Sequence, residues 1–142
     1  MTPSGHFTFS SSSLDKLATC SPLLRDVMFE AIKLTPIDFK VLWGHRGEAE
    51  QNRAYATGQS KLPWPKSKHN ILPSLAIDIV PVPVRWEDVK RFCVVAGVVY
   101  SAALLVGVDL RWGGDWNRDG YTADGWDWGH FELVTGPVRG ES

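Results

Sequence analysis

His69 in Ser67-Lys68-His69, Asp78 nine residues later, and Asp127 and His130 in Asp127-Trp128-Gly129-His130 supply two imidazoles and two carboxylates. Zinc enzymes that split amides need such a set: three protein ligands, an open fourth position for water, and a base beside it. The chain holds only four histidines, so two in such settings carry information. His69, Asp78 and His130 are the candidate ligands. Asp127 would overfill the metal's shell and fits better as a general base, taking a proton from the attacking water and returning it to the leaving amine.

Each of these residues has an ordinary alternative. Asp78 lies in the apolar run Leu75-Ala76-Ile77-Asp78-Ile79-Val80, where a carboxylate is costly to bury unless a cation or donor meets it; otherwise it caps a strand end. His130 read alone is a hydrogen-bonded histidine, and Asp127 a turn residue. In a strand, His130 and Glu132 share one face, where Glu132 either orients the imidazole or competes as the base. Arg46 starts a glycine-flanked turn. It either clamps a substrate carboxylate or oxyanion, or pairs at the surface with Glu48 or Glu50. Ser67 contacts substrate, orients the loop of His69, or is a plain loop serine.

Ser13 is a candidate N-cap for a short helix from Leu14, and Ser21-Pro22 opens a second. Leu23, Leu24, Val27, Met28, Ala31 and Ile32 follow at helical spacing until Thr35-Pro36 stops the helix. Phe39 to Trp43 reads as a strand, and Glu48 to Thr57 as a short helix ending at Gly58. Residues 59 to 73 form a loop rich in Pro and Lys. Leu75 to Val82 is a strand closed by Pro81 and Pro83. Trp86 to Val106 is a long helix, apolar on most sides and therefore expected at the centre. Asp109 to Trp112 is a short strand, Gly113 to Gly125 a polar glycine-rich loop, and Gly129 to Val134 the last strand, with a frayed tail from Gly136. Helices and strands interspersed without βαβ repetition predict an α+β fold, with helices on a small antiparallel sheet.

The bulk numbers suit one soluble domain with its core at about 14–135. The chain has 142 residues, 44% of them apolar and 22% charged. A net charge of −1 gives no basic excess for nucleic acid. No secretory signal is expected, since the first twenty residues lack a basic start and a continuous apolar segment. Phe92 to Val108 is seventeen residues without a charge, short for a membrane span of ~20. A span there would also separate His69 and Asp78 from Asp127 and His130. Cys20 and Cys93 form no close pair and read as reduced, buried thiols. Trp112, Trp116, Trp126 and Trp128, four of seven tryptophans, cluster near the candidate site, as core or as groove wall.

A second, weaker metal signal is Asp115-Trp116-Asn117-Arg118-Asp119-Gly120. It matches the opening of a calcium loop, with Asp115, Asn117 and Asp119 as candidate ligands. Trp126 stands where the bidentate Glu belongs. The alternative is a glycine turn held by Asp side chains.

Taken together the chain resembles the zinc D-alanyl-D-alanine carboxypeptidases and L-alanyl-D-glutamate peptidases, whose fold is shared with the hedgehog signalling domain. Within them it is most similar to phage endolysins. Four segments carry the resemblance: Gly44-His45-Arg46 with Glu48-Ala49-Glu50-Gln51 and Tyr55-Ala56-Thr57-Gly58; Ser67-Lys68-His69 with Ala76-Ile77-Asp78; Leu110-Arg111-Trp112-Gly113-Gly114-Asp115-Trp116; and Asp127-Trp128-Gly129-His130-Phe131-Glu132-Leu133. The resemblance implies zinc on His69, Asp78 and His130, Asp127 as catalytic base, and Arg46, with Ser67, at the substrate. It also implies a monomer that cleaves the stem peptide of bacterial peptidoglycan at the L-alanyl-D-glutamate bond, made in the host cytoplasm before release to the wall. The same scaffold serves D-alanyl-D-alanine carboxypeptidases, and a non-catalytic zinc-stabilised wall-binding module is the rival from another class. Two departures stand out. The gap between His69 and Asp78 is longer than in many relatives, so residues 70–74 must bulge. The loop at 117–125 is also long.

Overall fold

A computed structural model describes residues 7–134. The order is α1 (Ser11–Leu17), α2 (Pro22–Leu34), β1 (Phe39–Trp43), α3 (Glu48–Ala56), a 3-10 turn (Lys68–Asn70), β2 (Ala76–Pro81), α4 (Val89–Val106), β3 (Leu110–Trp112) and β4 (His130–Leu133). The four strands form one antiparallel sheet in the order β1-β2-β4-β3. This is the α+β arrangement the sequence predicts. The expected frayed tail from Gly136 lies outside the described residues.

Alternation along the strands divides the sheet into two chemically different faces. Phe39, Val41, Ile77, Ile79, Leu110, Trp112, Phe131 and Leu133 join the core with Leu24, Val27, Met28 and Ala31 of α2 and Val95, Val99 and Ala102 of α4. The opposite face carries Asp78, His130, Glu132 and Arg111. Asp78 stands directly across from His130, and Arg111 from Glu132, so each pair shares that face. Between Val41 and Trp43 the register slips, and Trp43 comes opposite Asp78. Such a bulge re-aims side chains and bends the strand; here it delivers residues 43–46 to the polar face.

Three expectations change. The first helix starts at Ser11 and is capped by Ser10, not Ser13. Ser13 is buried, and its hydroxyl accepts the Val41 N–H at 3.0 Å. In a run of serines the local cap preference is equal, and that distant partner decides. The long helix starts at Val89, behind Asp88, rather than at Trp86. It is also not central: Phe92, Val95, Ala96, Val99, Ala102 and Ala103 face the core, while Val94 and Leu105 are exposed and Leu104 is 83% exposed. Among the described residues it is the one helix long and apolar enough to cross a membrane, yet one face packs on α2 and the sheet.

Both cysteines are free, as expected, but only Cys20 is buried. Burial pushes its thiol up to about 11. Residues 71–73 bulge outward with Ile71 and Leu72 exposed, accommodating the long gap between His69 and Asp78.

Candidate metal centre

β2 presents Asp78 and β4 presents His130; the 3-10 turn brings His69 over them. One ligand atom from each lies within 4.8 Å of the others, the only such group among the described residues. Asp78 Oδ1 is 3.2 Å from His69 Nε2 and 2.9 Å from His130 Nδ1. A tetrahedral zinc with bonds of ~2.0–2.1 Å separates its ligands by roughly 3.3 Å, so the spacing fits.

The hydrogen bonding supports the same conclusion. His69 is 2% exposed, and its Nδ1 donates to the Gly44 carbonyl at 2.8 Å. That bond leaves Nε2 with a lone pair aimed at a carboxylate oxygen, and Nε2 is buried without a hydrogen-bond partner. A metal ion between the two atoms would satisfy both. His130 is held the same way: its Nε2 meets Glu132 Oε1 at 2.9 Å, which frees Nδ1 toward Asp78. Imidazoles that bind metals are typically oriented by such outer partners. The donor set, two imidazoles and a carboxylate, suits zinc.

The titrating groups at the centre set one another's charge. Burial opposes a charge on His130, but hydrogen bonds to Asp78 and Glu132 outweigh it and push its pKa up to about 10. Burial also opposes the charge on Asp78, yet His69 and His130 hold it well below the usual carboxylate range. Burial first, and Asp78 second, push Asp127 up to about 6.

The remaining expected residues divide. Asp127 is near but outside the ligand group, its Oδ2 3.9 Å from His130 Nδ1. Glu132 is fully engaged: beside its bond to His130, Oε2 takes Arg111 at 2.8 Å and Lys68 at 3.0 Å. That engagement removes Glu132 as a rival base. Arg46 is buried and pairs neither with Glu48 nor Glu50; its Nη2 holds Asp78 Oδ2 at 3.0 Å and its Nη1 reaches Gln51. Asp78 thus gives one oxygen to the imidazoles and the other to Arg46. The Ser67 hydroxyl accepts the His69 N–H at 3.1 Å, capping the turn that carries this histidine, and also lines the cleft.

Among the described residues the 115–120 loop holds no group of three acids within ligand distance of one another. Asp115 accepts the N–H groups of Asp119 and Gly120, Asp119 accepts that of Tyr121, and Asn117 pairs with Asp119. Asp124 accepts those of Trp116 and Asn117. This is the alternative turn held by Asp side chains; calcium gains no ligand cluster. The tryptophans split: Trp112 is core and donates to the Trp128 carbonyl at 2.7 Å, which ties down the turn before His130, whereas Trp116 and Trp126 line the cleft.

Gln51 was not legible as a site residue. It is fully buried and bonds Arg46, Asn70, Ser60 and the Leu62 carbonyl. On a polar helix such as α3 no periodic signal marks it. Lys68 and Arg111 were read only as parts of motifs; their convergence on Glu132 depends on β4.

Two predictions follow from these contacts. Glu132→Gln should weaken zinc affinity about 10–100-fold, by loosening His130; a competition titration against a chromophoric chelator reads this, and unchanged affinity would refute the role. Gly129→Ala should destabilise the fold by about 2 kcal/mol and lower metal content. A Cβ there would strike the Ile79 carbonyl, part of the backbone that pairs with Gly129. Thermal unfolding and metal analysis check it.

Residues 5–134 match the family described as phage L-alanyl-D-glutamate peptidase. The L-alanyl-D-glutamate peptidase of Escherichia phage T5 is 36% identical over 137 residues, covering 90% of this chain and 98% of that protein. The crystal structure of the Serratia marcescens L-Ala D-Glu endopeptidase ChiX superposes with a TM-score of 0.72 at 28% identity, covering 89% of this chain and 90% of that one. The chain belongs to the phage L-alanyl-D-glutamate peptidase family.

Proposed function

We propose that this chain is a single zinc peptidase domain that hydrolyses the L-alanyl-D-glutamate amide of the peptidoglycan stem peptide, acting as a monomeric phage endolysin. The observation that carries the reading is the convergence of His69 Nε2, Asp78 Oδ1 and His130 Nδ1 with Asp127 beside them. His69, Asp78 and His130 would hold the ion. Zinc, when bound, supplies a Lewis acid for the scissile carbonyl and acidifies the attacking water.

The chain's own groups do the rest. Asp127 removes the water's proton and passes it to the leaving amine of D-glutamate. Arg46 fixes the Asp78 carboxylate and faces the cleft, where its charge favours an oxyanion. Ser67 and Gly44 hold His69 in place. The 115–124 loop contributes Trp116 as wall, and the reading needs no calcium. Synthesis in the host cytoplasm before release suits an endolysin.

The test is digestion of purified peptidoglycan by the zinc-loaded protein, followed by mass spectrometry. New glutamate amino termini are expected. Free D-alanine instead would make the chain a carboxypeptidase, and binding without new termini would make it a wall-binding module.

A further inference from the structure

The surface on the two sides of Asp127 differs in kind. One cleft, of about 230 Å³, is lined by Arg46, Lys61, Lys66, Lys68 and Arg111 beside the metal centre. The adjoining groove, of about 560 Å³, shares Trp126 and Asp127 with it and reaches Asp78. Trp43, Trp86, Phe92 and Trp128 line that groove, and none of its lining residues is a lysine or arginine.

The cations of the cleft are not equally free to bind a substrate carboxylate directly. Arg46 is committed to Asp78, and Lys68 and Arg111 to Glu132. Lys66 makes no ion pair among the described residues. Lys61 lies over the Trp126 ring at 4.4 Å, on the boundary between the two halves. In the groove, Trp86 is 61% exposed and stacks on Phe92 with ring centroids 5.9 Å apart.

The substrate has the same asymmetry. The L-alanyl end of a stem peptide is joined to the lactyl group of a muramic acid, a bulky sugar without charge near the bond. On the other side D-glutamate continues through its γ-carboxyl, so its α-carboxylate is free beside the scissile amide. We propose, resting on the activity above, that the peptide crosses the centre with its D-glutamyl carboxylate at Lys61 and Lys66 and its muramyl-L-alanyl end on Trp43 and Trp86. The reverse orientation would bring the free carboxylate against Asp78 and Asp127, in a groove where Arg46, 5.3 Å over the Trp43 ring, is already held by Asp78, and like charges repel strongly there. It would also place the sugar among lysines and leave the tryptophan rings without the apolar surface they pack against best.

Two substrate pairs test this: a muramyl tripeptide against the same peptide without the sugar, and D-glutamyl against its α-amide, D-isoglutamine. The wild type should prefer the free carboxylate. Lys61→Ala with Lys66→Ala should lower kcat/KM on the carboxylate substrate about tenfold and on the amide far less, so the preference disappears. Trp86→Ala should raise KM several-fold for the muramyl peptide only. As a readout apart from turnover, muramyl-L-alanine should quench tryptophan fluorescence in the wild type and measurably less in Trp86→Ala. A lysine variant that keeps the preference, or a Trp86 variant that suffers equally on both peptides, overturns the orientation while the activity stands. If the wild type cleaves none of the four substrates, the activity reading falls and the orientation with it.

Discussion

Asp127→Ala is expected to bind zinc as the parent does and to lose kcat by a factor on the order of 10²–10⁴, the usual contribution of a positioned base. The reasoning is geometric. Asp127 stands 3.9 Å from His130 Nδ1, outside the group formed by His69, Asp78 and His130, so its removal leaves the ligands intact. Its backbone, not its side chain, anchors the turn: the N–H bonds the Gly113 carbonyl and the carbonyl accepts the His130 N–H. The fold should therefore survive, with KM little changed. No other carboxylate is free to substitute, since Glu132 is saturated by His130, Lys68 and Arg111. Metal analysis beside steady-state kinetics reads both halves. Full turnover by a zinc-loaded Asp127→Ala would overturn the assignment, and loss of zinc would make Asp127 a ligand.

Removing the metal should abolish hydrolysis, and zinc should restore it. An ion that binds only the folded chain stabilises it by about 4 kcal/mol at a thousandfold excess over its dissociation constant. For a chain of this size the chelated protein should melt on the order of 10 °C lower. Asp78→Asn should do more damage than chelation. It leaves one carbonyl oxygen to serve two sides and removes the charge opposite the buried Arg46 guanidinium, whose Nη2 sits 3.0 Å from Asp78 Oδ2. Breaking a buried pair in this way costs about 3–5 kcal/mol, so this variant should be both metal-poor and less stable than the apo parent. Activity that persists after exhaustive chelation would end the metal reading. An Asp78→Asn protein that melts with the chelated parent would remove Arg46 as its anchor.

Two of the three candidate ligands, Asp78 and His130, were legible because their positions follow from strand periodicity, which is local. Alternation places Asp78 on one face of β2, and His130 with Glu132 on one face of β4, whatever the rest of the chain does. The apolar residues between them, Ile77, Ile79 and Phe131, face the other way and declare the core. Asp127 could be read from its distance to His130 across a Trp-Gly turn, and His69 from its company. The sheet, the helices and the family likeness were all present in these short-range patterns.

Other features depend on partners far along the chain. Arg46 had acidic neighbours at Glu48 and Glu50, yet it turns inward to Asp78, thirty-two residues away. The slip in β1 at Leu42 brings it there, and no propensity announces that slip. Lys68 and Arg111 meet only because both reach Glu132. The 115–120 motif has calcium-loop letters, but its acids accept nearby backbone N–H groups, as a turn held by Asp side chains does. Strand pattern tells which face a side chain occupies. It does not tell which of several possible partners a long or charged side chain will choose, because that choice rests on distances that exist only once the chain has packed.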